Sequence, residues 1–441
     1  MRSQQGVVFS LAYALVGLLA GSPEVRADHE SSALRLDLPT ALVRALRDNP
    51  DLTVKRQALG IAQGRIQQAE LFFQDNPHLS VDVNYRHRRF AAPLGRHGVD
   101  TEVRLLQEIE IAGQRDHRRE AAAKNLTQAE WEVADAERLL RLEVTRAFYD
   151  LLVLQEKIEV QRQVLSTQEA LFQAGSTRFA REDISVLDVD TLRLDRDRAQ
   201  SDLLSQEEEQ VSKEQQMRLL LGMGEEAPLA VSGDLLGLSP EAGKTEQISP
   251  LAALEACAVA QRPDVKVARL SQETREAELR LAQARSVPNI SVGPLYKLDN
   301  EDQVIGGAIV VPLPFFHRNQ QELTTALTNR EMSRTALTVR ERTVKQEVAG
   351  AVARLRLATQ RLAPYGKSSL DNITRSVELT QKAYEAGEIT IFELSVALER
   401  LVQTRFRSLD ALLRYLHARA DLESRLTPAC LGGAGSGELG R

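Results

Sequence analysis

The sequence predicts a mainly α-helical fold with a smaller β part, built from two successive copies of one structural unit. Long stretches rich in Ala, Leu, Glu, Gln and Arg are typical of long helices and coiled coils. Two regions change from a hydrophobic period of about 3.6 residues to strict alternation, which predicts β-hairpins. The order helix, β-hairpin, long helical hairpin recurs about two hundred residues later, as expected for an internal duplication.

Composition excludes several classes of function. The 441-residue chain carries a formal charge of −6, whereas nucleic-acid-binding proteins are normally basic. Seven scattered histidines and two cysteines predict neither a metal site nor a cofactor site. Cys257 falls in a helical pattern and Cys430 in the C-terminal tail, so we expect no disulfide framework and no redox pair. The absence of a phosphate loop or nucleophile motif predicts that the protein is not an enzyme.

Residues 1–27 have the pattern of a secretory signal peptide. Arg2 supplies a positive start, an apolar core spans 7–20, and Val25-Arg26-Ala27 offers a cleavage site. The apolar core is short for a membrane-spanning helix, which needs about 20 residues. No cysteine lies near the junction, so we expect no lipid-anchored N-terminus. The mature protein is therefore expected to be periplasmic, secreted, or held in the outer membrane by strands.

The first repeat is predicted to span 28–224. Its strands lie at about 79–90 and 99–110, and its helical hairpin covers 114–221 with a tip at 179–189. Alternation of apolar and polar residues over about 10 positions is typical of transmembrane β-hairpins. A soluble amphipathic hairpin has the same pattern, and alternation alone does not separate the two.

The second repeat is predicted to span 248–427, after a Pro- and Gly-containing linker at 225–247. Its expected elements are strands at about 289–298 and 303–313, a helical hairpin at 320–426 with a kink at Pro364, a tip at 384–394, and then a flexible tail at 428–441. The repeats share a proline helix start, Asn49-Pro50-Asp51 in the first and Arg262-Pro263-Asp264 in the second. Their tips also match position for position in residue type.

Four strands per chain cannot close a barrel, and an open sheet edge cannot lie in lipid. If the strands are in a membrane, we therefore expect three chains to contribute four strands each to a trimeric 12-stranded β-barrel around an aqueous passage. The helices exceed the thickness of a bilayer and would continue the barrel as a periplasmic α-helical barrel. An alternative from another class is a soluble secreted coiled-coil scaffold or adhesin.

The chain resembles the TolC-type outer membrane factor family, the outer membrane efflux proteins, from about residue 38 to 427. The resemblance rests on the duplicated order of elements and the proline helix starts. Its most specific motifs are Ala386-Gly387-Glu388-Ile389-Thr390 and Val310-Val311-Pro312-Leu313-Pro314-Phe315-Phe316 with Arg318-Asn319-Gln320. In its length and in these motifs, the chain is most similar to members of the CzcC-like heavy-metal-resistance branch.

The resemblance implies a homotrimer in the bacterial outer membrane with a long periplasmic extension. It implies a periplasmic adaptor and an inner-membrane RND-type pump as partners, outer-membrane lipid around the strands, and no cofactor. The exported substrates would be small solutes, and the branch favours heavy-metal cations. Multidrug efflux and type I protein secretion remain alternatives. Basic residues at 86–97 could meet lipopolysaccharide phosphates, although a solvated polar loop explains them equally well.

The resemblance also suggests where the functional residues lie. The acids expected to gate the periplasmic tip are Glu393, Glu388, Asp188 and Asp190. The tip turns expected to dock the adaptor comprise Gly387, Ala386, Ile389, Glu182, Asp183 and Ile184. Val396 stands where the family has a further acid, so no second acidic ring is expected. The first tip has no glycine at the position equivalent to Gly387, which predicts a different turn shape there.

Overall fold

The structure is a computed structural model of the chain. It describes residues 34–87, 97–224, 229–235, 237–238, 249–299, 302–365, 375–376, 379–380, 382–384, 386 and 388–431. The predicted signal peptide at 1–27, the basic loop residues at 88–96 and Gly387 lie outside the described residues.

The described residues of the first half form four helices. They are α1 (Leu38–Asp48), α2 (Pro50–Glu70), α3 (Gln114–Phe179) and α4 (Val186–Leu220). Asn49 connects the start of α2 with the end of α4. Its side-chain oxygen accepts the N–H of Leu52 at 2.9 Å and so caps α2, while its amide donates to the carbonyl of Leu220 at 3.0 Å. One buried side chain therefore starts α2 and holds the end of α4.

The second half repeats this order of elements. Its helices with described bounds are α5 (Leu251–Gln261), α6 (Pro263–Ala284), α7 (Gln320–Leu362), α8 (Ile391–Arg425) and α9 (Pro428–Leu431). The described residues at 375–376, 379–380 and 382–384 are also helical and lead into the second tip. A 3₁₀ turn at Ala363–Tyr365 ends α7 at the expected proline. The predicted fold class, mainly helical with a β part and duplicated, is confirmed. Within the described residues, no helix has both the length and the apolar composition needed to cross a membrane.

Charged side chains at the start of α6 take the place of the asparagine cap of the first half. The buried guanidinium of Arg262 lies 2.6 Å from a carboxylate oxygen of Asp264 and 2.9 Å from one of Glu347. Burial alone would raise the pKa of Asp264, but hydrogen bonds from Arg262 and then from Arg340 outweigh it and lower that pKa. Asp264 thus stays ionised inside the fold.

Six strands form two sheets among the described residues. They are β1 (Leu34–Leu36), β2 (His78–His87), β3 (His97–Ile109), β4 (Leu229–Val231), β5 (Ile290–Asp299) and β6 (Asp302–Val310). The larger sheet has the antiparallel order β2-β3-β5-β6, and β1 pairs with β4 in parallel. The small sheet was not predicted, since β4 lies in the expected linker. β6 ends at Val310 rather than at 313 because Pro312 and Pro314 cannot donate to a ladder.

The register of the larger sheet separates an apolar face from a polar face. Val81 lies opposite Val103, which lies opposite Tyr296, which in turn lies opposite Ile305. On the other face, Asp82, Glu102 and Lys297 follow one another across three strands. The exposed hydrophobic side chains of the apolar face include Leu79, Val81, Val83, Tyr85, Val99, Leu105, Tyr296, Ile305 and Ile309. In the described sheet, β2 and β6 are edge strands with one neighbour each.

A disulfide bond links Cys257 in α5 to Cys430 in α9. The expectation of no disulfide was therefore wrong. The two cysteines are 173 residues apart, and no local pattern shows that the chain returns to α5 after α8. The predicted flexible tail at 428–441 instead begins with a short helix, which this bond fastens to the start of the second repeat.

The disulfide closes a loop that contains nearly the whole second repeat, so its loss should destabilise that half. We expect Cys257→Ser to lower the free energy of unfolding by about 2–5 kcal/mol, because the open chain gains conformational freedom when unfolded. Urea unfolding followed by circular dichroism measures this change. Added reductant should shift the midpoint of the wild type and leave that of the variant unchanged. Equal midpoints for both proteins without reductant would contradict the assignment.

Candidate functional site

The two helical hairpins end in tips that share one backbone arrangement. In the first tip, the N–H of Asp183 donates to the carbonyl of Arg178 at 3.0 Å. In the second, the N–H of Glu388 donates to the carbonyl of Ala383 at 2.9 Å. Bonds that reach back five residues are characteristic of the Schellman motif, in which the residue before the donor takes a left-handed conformation. The equivalent bond thus ends the incoming helix in both repeats.

Glu182 occupies the left-handed position of the first tip, with φ of 61°. Glycine normally fills this position because a side chain is strained there by about 1 kcal/mol or more. Gly387 is the equivalent residue of the second repeat. The expectation of a different turn shape in the first tip was wrong for the bond that reaches back five residues. The first tip makes this bond with Glu182 where the second repeat has a glycine.

Each outgoing helix begins with a capping box, which satisfies free N–H groups at its first turn. At the start of α4, the Asp188 carboxylate accepts the N–H of Ser185 at 3.0 Å, and the Ser185 hydroxyl accepts the N–H of Asp188 at 3.3 Å. At the start of α8, Glu393 and Thr390 make the same pair of bonds, at 2.8 and 3.3 Å. The capping acids of the two tips are therefore equivalent residues.

Two of the four acids predicted as gate residues are thus capping residues. The backbone N–H of Thr390, and then its hydroxyl, lower the pKa of the exposed Glu393, so its carboxylate keeps its charge below the ordinary glutamate range. Asp190 lies one turn into α4, 3.5 Å from Arg193. Glu388 is exposed in the second tip.

The residues predicted to dock an adaptor fall into an exposed group and a half-buried group. Glu182, Asp183 and Ala386 are exposed at the ends of the hairpins. Ile184 and Ile389 are half-buried, and Ile389 packs against the apolar cluster beneath the second tip. The described tips therefore present short polar turns over an apolar base.

An apolar cluster joins the two hairpins behind their tips, and sequence reasoning did not find it. This tip cluster consists of Leu171, Leu192, Tyr384, Leu394 and Leu398. The guanidinium carbon of Arg178 lies 5.2 Å from the centroid of the Tyr384 ring, within the range of a cation–π contact. Leu171 and Leu192 belong to the first hairpin, so the two tips are packed as one unit.

Polar contacts between α4 and α8 continue this junction. The hydroxyl of Ser395 donates to the Asp195 carboxylate, and Arg198 lies 3.3 Å from Glu399. We call these two contacts the inter-hairpin ties. The partners in each tie are about 200 residues apart, so no periodicity within one helix could have identified them. They are additional candidates for residues that control the tips.

The described residues contain no group of three or more His, Cys, Asp or Glu side chains placed to hold a metal ion. The tips concentrate carboxylates on exposed helix starts instead.

The chain is similar to known proteins over most of its length. Residues 41–223 and 256–426 match the family model described as outer membrane efflux protein. The cobalt-zinc-cadmium resistance protein CzcC of Cupriavidus metallidurans is 23% identical over 386 residues, which are 86% of each chain.

Solved structures share the fold at low sequence identity. A crystal structure of CusC has a TM-score of 0.69 at 17% identity and covers 89% of this chain and 92% of its own. The CmeC outer membrane channel of Campylobacter jejuni has a TM-score of 0.70 at 14% identity, covering 88% and 85%.

The left-handed Glu182 generates a direct prediction. Glu182→Gly should relieve about 1 kcal/mol of backbone strain and slow local opening of the first tip roughly fivefold. Hydrogen exchange of the tip amides, measured by mass spectrometry on the intact protein, reports this change. Asp183→Gly is the matched control, because Asp183 has no positive φ and glycine there should speed exchange. Faster exchange in Glu182→Gly would refute the strain assignment.

Proposed function

This chain belongs to the outer membrane efflux protein family, and on that premise we propose that it forms the outer-membrane channel of a tripartite efflux system for heavy-metal cations. The resistance protein CzcC, named for cobalt, zinc and cadmium, supports the choice of substrate. The channel itself performs no chemistry. A periplasmic adaptor and an inner-membrane RND-type pump would supply the substrate and the energy.

The exposed apolar face of the four-stranded sheet is the observation that carries this proposal. Its hydrophobic side chains run across all four strands, while the opposite face carries charged residues such as Glu102 and Lys297. The edge strands β2 and β6 have one neighbour each among the described strands. Because lipid cannot satisfy an open edge, β6 of one copy would pair with β2 of the next. Three copies give a 12-stranded β-barrel with a polar interior.

The helices extend this proposed passage into the periplasm. α3 has 66 residues, which gives a length of about 100 Å at 1.5 Å per residue. A bilayer has a hydrocarbon core of only about 30 Å, so the tips would lie far from the outer membrane. The disulfide between Cys257 and Cys430 supports an oxidising compartment, since such bonds are rare in the cytosol.

The tips would form the periplasmic entrance of the channel. The capping acids Asp188 and Glu393, together with Glu388 and Asp190, would surround the axis in three copies and favour cations. The inter-hairpin ties and the tip cluster would hold the entrance closed, because opening must move one hairpin relative to the other. The turns at 180–184 and 386–389 would receive the adaptor.

Removing an inter-hairpin tie should favour the open channel. An exposed pair such as Arg198–Glu399 contributes about 0.5 kcal/mol, so Arg198→Ala in three subunits should shift the equilibrium by about 1.5 kcal/mol, roughly tenfold. Open probability in planar bilayers measures the effect.

Arg162→Ala is the control for this measurement. Arg162 lies 3.0 Å from Glu207, so it also forms an exposed ion pair, but both residues belong to the first hairpin. Its loss should leave open probability unchanged. An equal increase in both variants, or no increase in Arg198→Ala, would contradict the role of the tie.

The substrate is tested in cells that lack their own outer-membrane channel. Expression of this chain with an RND-type pump and adaptor of a metal-efflux system should lower cell-associated cobalt, zinc and cadmium, measured by mass spectrometry. The same chain with a drug-efflux pump and adaptor provides the comparison. Restoration of drug efflux without any fall in cellular metal would favour the multidrug alternative and refute the metal assignment.

A further inference from the structure

We propose that a groove between the two helical hairpins binds a linear aliphatic polyamine, with ammonium groups at both ends of the groove and methylenes along its walls. The groove lies between α3, α4 and α8 and has a volume of about 200 Å³. We call it the inter-hairpin groove. The side chains that characterise it are Gln161 and Gln168 of α3, Asp195 and Asp202 of α4, and Leu398 and Phe406 of α8.

A buried amide in the groove lacks a hydrogen-bond partner. Gln168 is only 8% exposed, and its side-chain oxygen accepts no hydrogen bond from the described residues. A buried acceptor without a donor is destabilising. Because Gln168 lines the groove, a molecule bound there can supply the missing donor. This oxygen is therefore evidence for a ligand that donates hydrogen bonds.

Oxygen acceptors occur at both ends of the groove. The amide of Gln161 donates to the carbonyl of Ala199 at 3.1 Å, which sets the level of the antiparallel helices α3 and α4. Asp202 then lies at about the level of Gln161. Asp195 is seven residues nearer the tip, at about the level of Gln168. Seven helical residues span about 10 Å, so the two sets of acceptors are about that far apart.

The charges along the groove favour a cation. Among the described residues that line it, three are carboxylates and one is a guanidinium. Arg198 pairs with Glu399 in one inter-hairpin tie, and Asp195 accepts the hydroxyl of Ser395 in the other. Asp202 has no ion-pair partner in the part of the chain that the structure describes. The groove thus keeps a net negative charge after its own pairs have formed.

The walls of the groove distinguish an organic ammonium ion from a metal ion. Val164, Leu398 and Val402 line it between its two ends, where methylene groups could pack against them. A hydrated metal ion gains nothing from such walls. The described residues also contain no group of three or more His, Cys, Asp or Glu side chains placed to hold a metal. Ammonium groups carry only donors, which complement the carboxylate and amide oxygens.

A molecule in the groove would contact both hairpins at once. The helices α3 and α4 belong to the first hairpin, whereas α8 belongs to the second. A ligand that binds only when the hairpins are packed together stabilises that arrangement. Under the proposed function, bound polyamine would therefore favour the closed entrance. The binding site itself does not depend on that function.

Calorimetric titration of the full-length protein in detergent tests the site. Spermidine is titrated at about 0.15 M salt, where distant surface charges are screened. The variants are Asp202→Asn, which removes one carboxylate, and Gln168→Leu, which keeps a similar side-chain size without the acceptor. Glu208→Gln is the matched control for charge, because Glu208 is exposed on α4 and does not line the groove.

We expect one spermidine per chain, with affinity about tenfold lower in Asp202→Asn and in Gln168→Leu and unchanged in Glu208→Gln. Putrescine should bind more weakly, because its shorter chain cannot reach both ends of the groove. Magnesium chloride at equal charge should displace little spermidine. Absence of binding, equal weakening by Glu208→Gln, or full displacement by magnesium would each overturn the proposal. Since the titration involves no transport, these results are independent of the proposed channel function.

Discussion

The backbone groups along the two edges of the larger sheet are the constraint on which the rest of this structure depends. β2 and β6 each pair on one side only in the described sheet, while hydrophobic side chains cover one of its faces. A single chain leaves both the edges and the face in water. In the proposed assembly, pairing between copies would satisfy the edges, and lipid would cover the face. Both proposals, assembly and membrane placement, therefore follow from the open edges and the exposed apolar face of one sheet.

The tips at the other end of the helices combine local and long-range interactions. The capping boxes at Ser185 and Thr390 and the turn bonds define each tip from its own residues. The tip cluster acts between the hairpins and is buried, whereas the inter-hairpin ties are more exposed, so each tie contributes little free energy. Breaking a tie is therefore less costly than opening the tip cluster.

How much the sequence could predict depended on how far apart the interacting residues are. Alternation over ten residues placed the strands, and the long helical pattern placed α3, in which Leu140, Val144 and Leu151 are buried. Gln161 of the same helix is also buried, and its amide donates to the carbonyl of Ala199 at 3.1 Å. The helical pattern does not identify this partner on the neighbouring helix.

Features that depend on packing escaped prediction for the same reason. Cys257 and Cys430 meet only after the second repeat has folded. An added Cβ at Gly175 would lie 2.3 Å from the Leu192 side chain, so the small size of this residue permits close contact of α3 with α4. The missing glycine of the first tip was wrongly expected to change the turn shape. Glu182 raises the energy of the left-handed position but still adopts it.

The number of chains in the complex extracted from the outer membrane tests the central claim most directly, since open edges require partners of the same kind. Analytical ultracentrifugation in a density-matched detergent gives the protein mass independently of bound detergent. We predict three chains in every complex. A monodisperse single chain in the membrane fraction would contradict the account, because its sheet edges would then be unpaired in lipid.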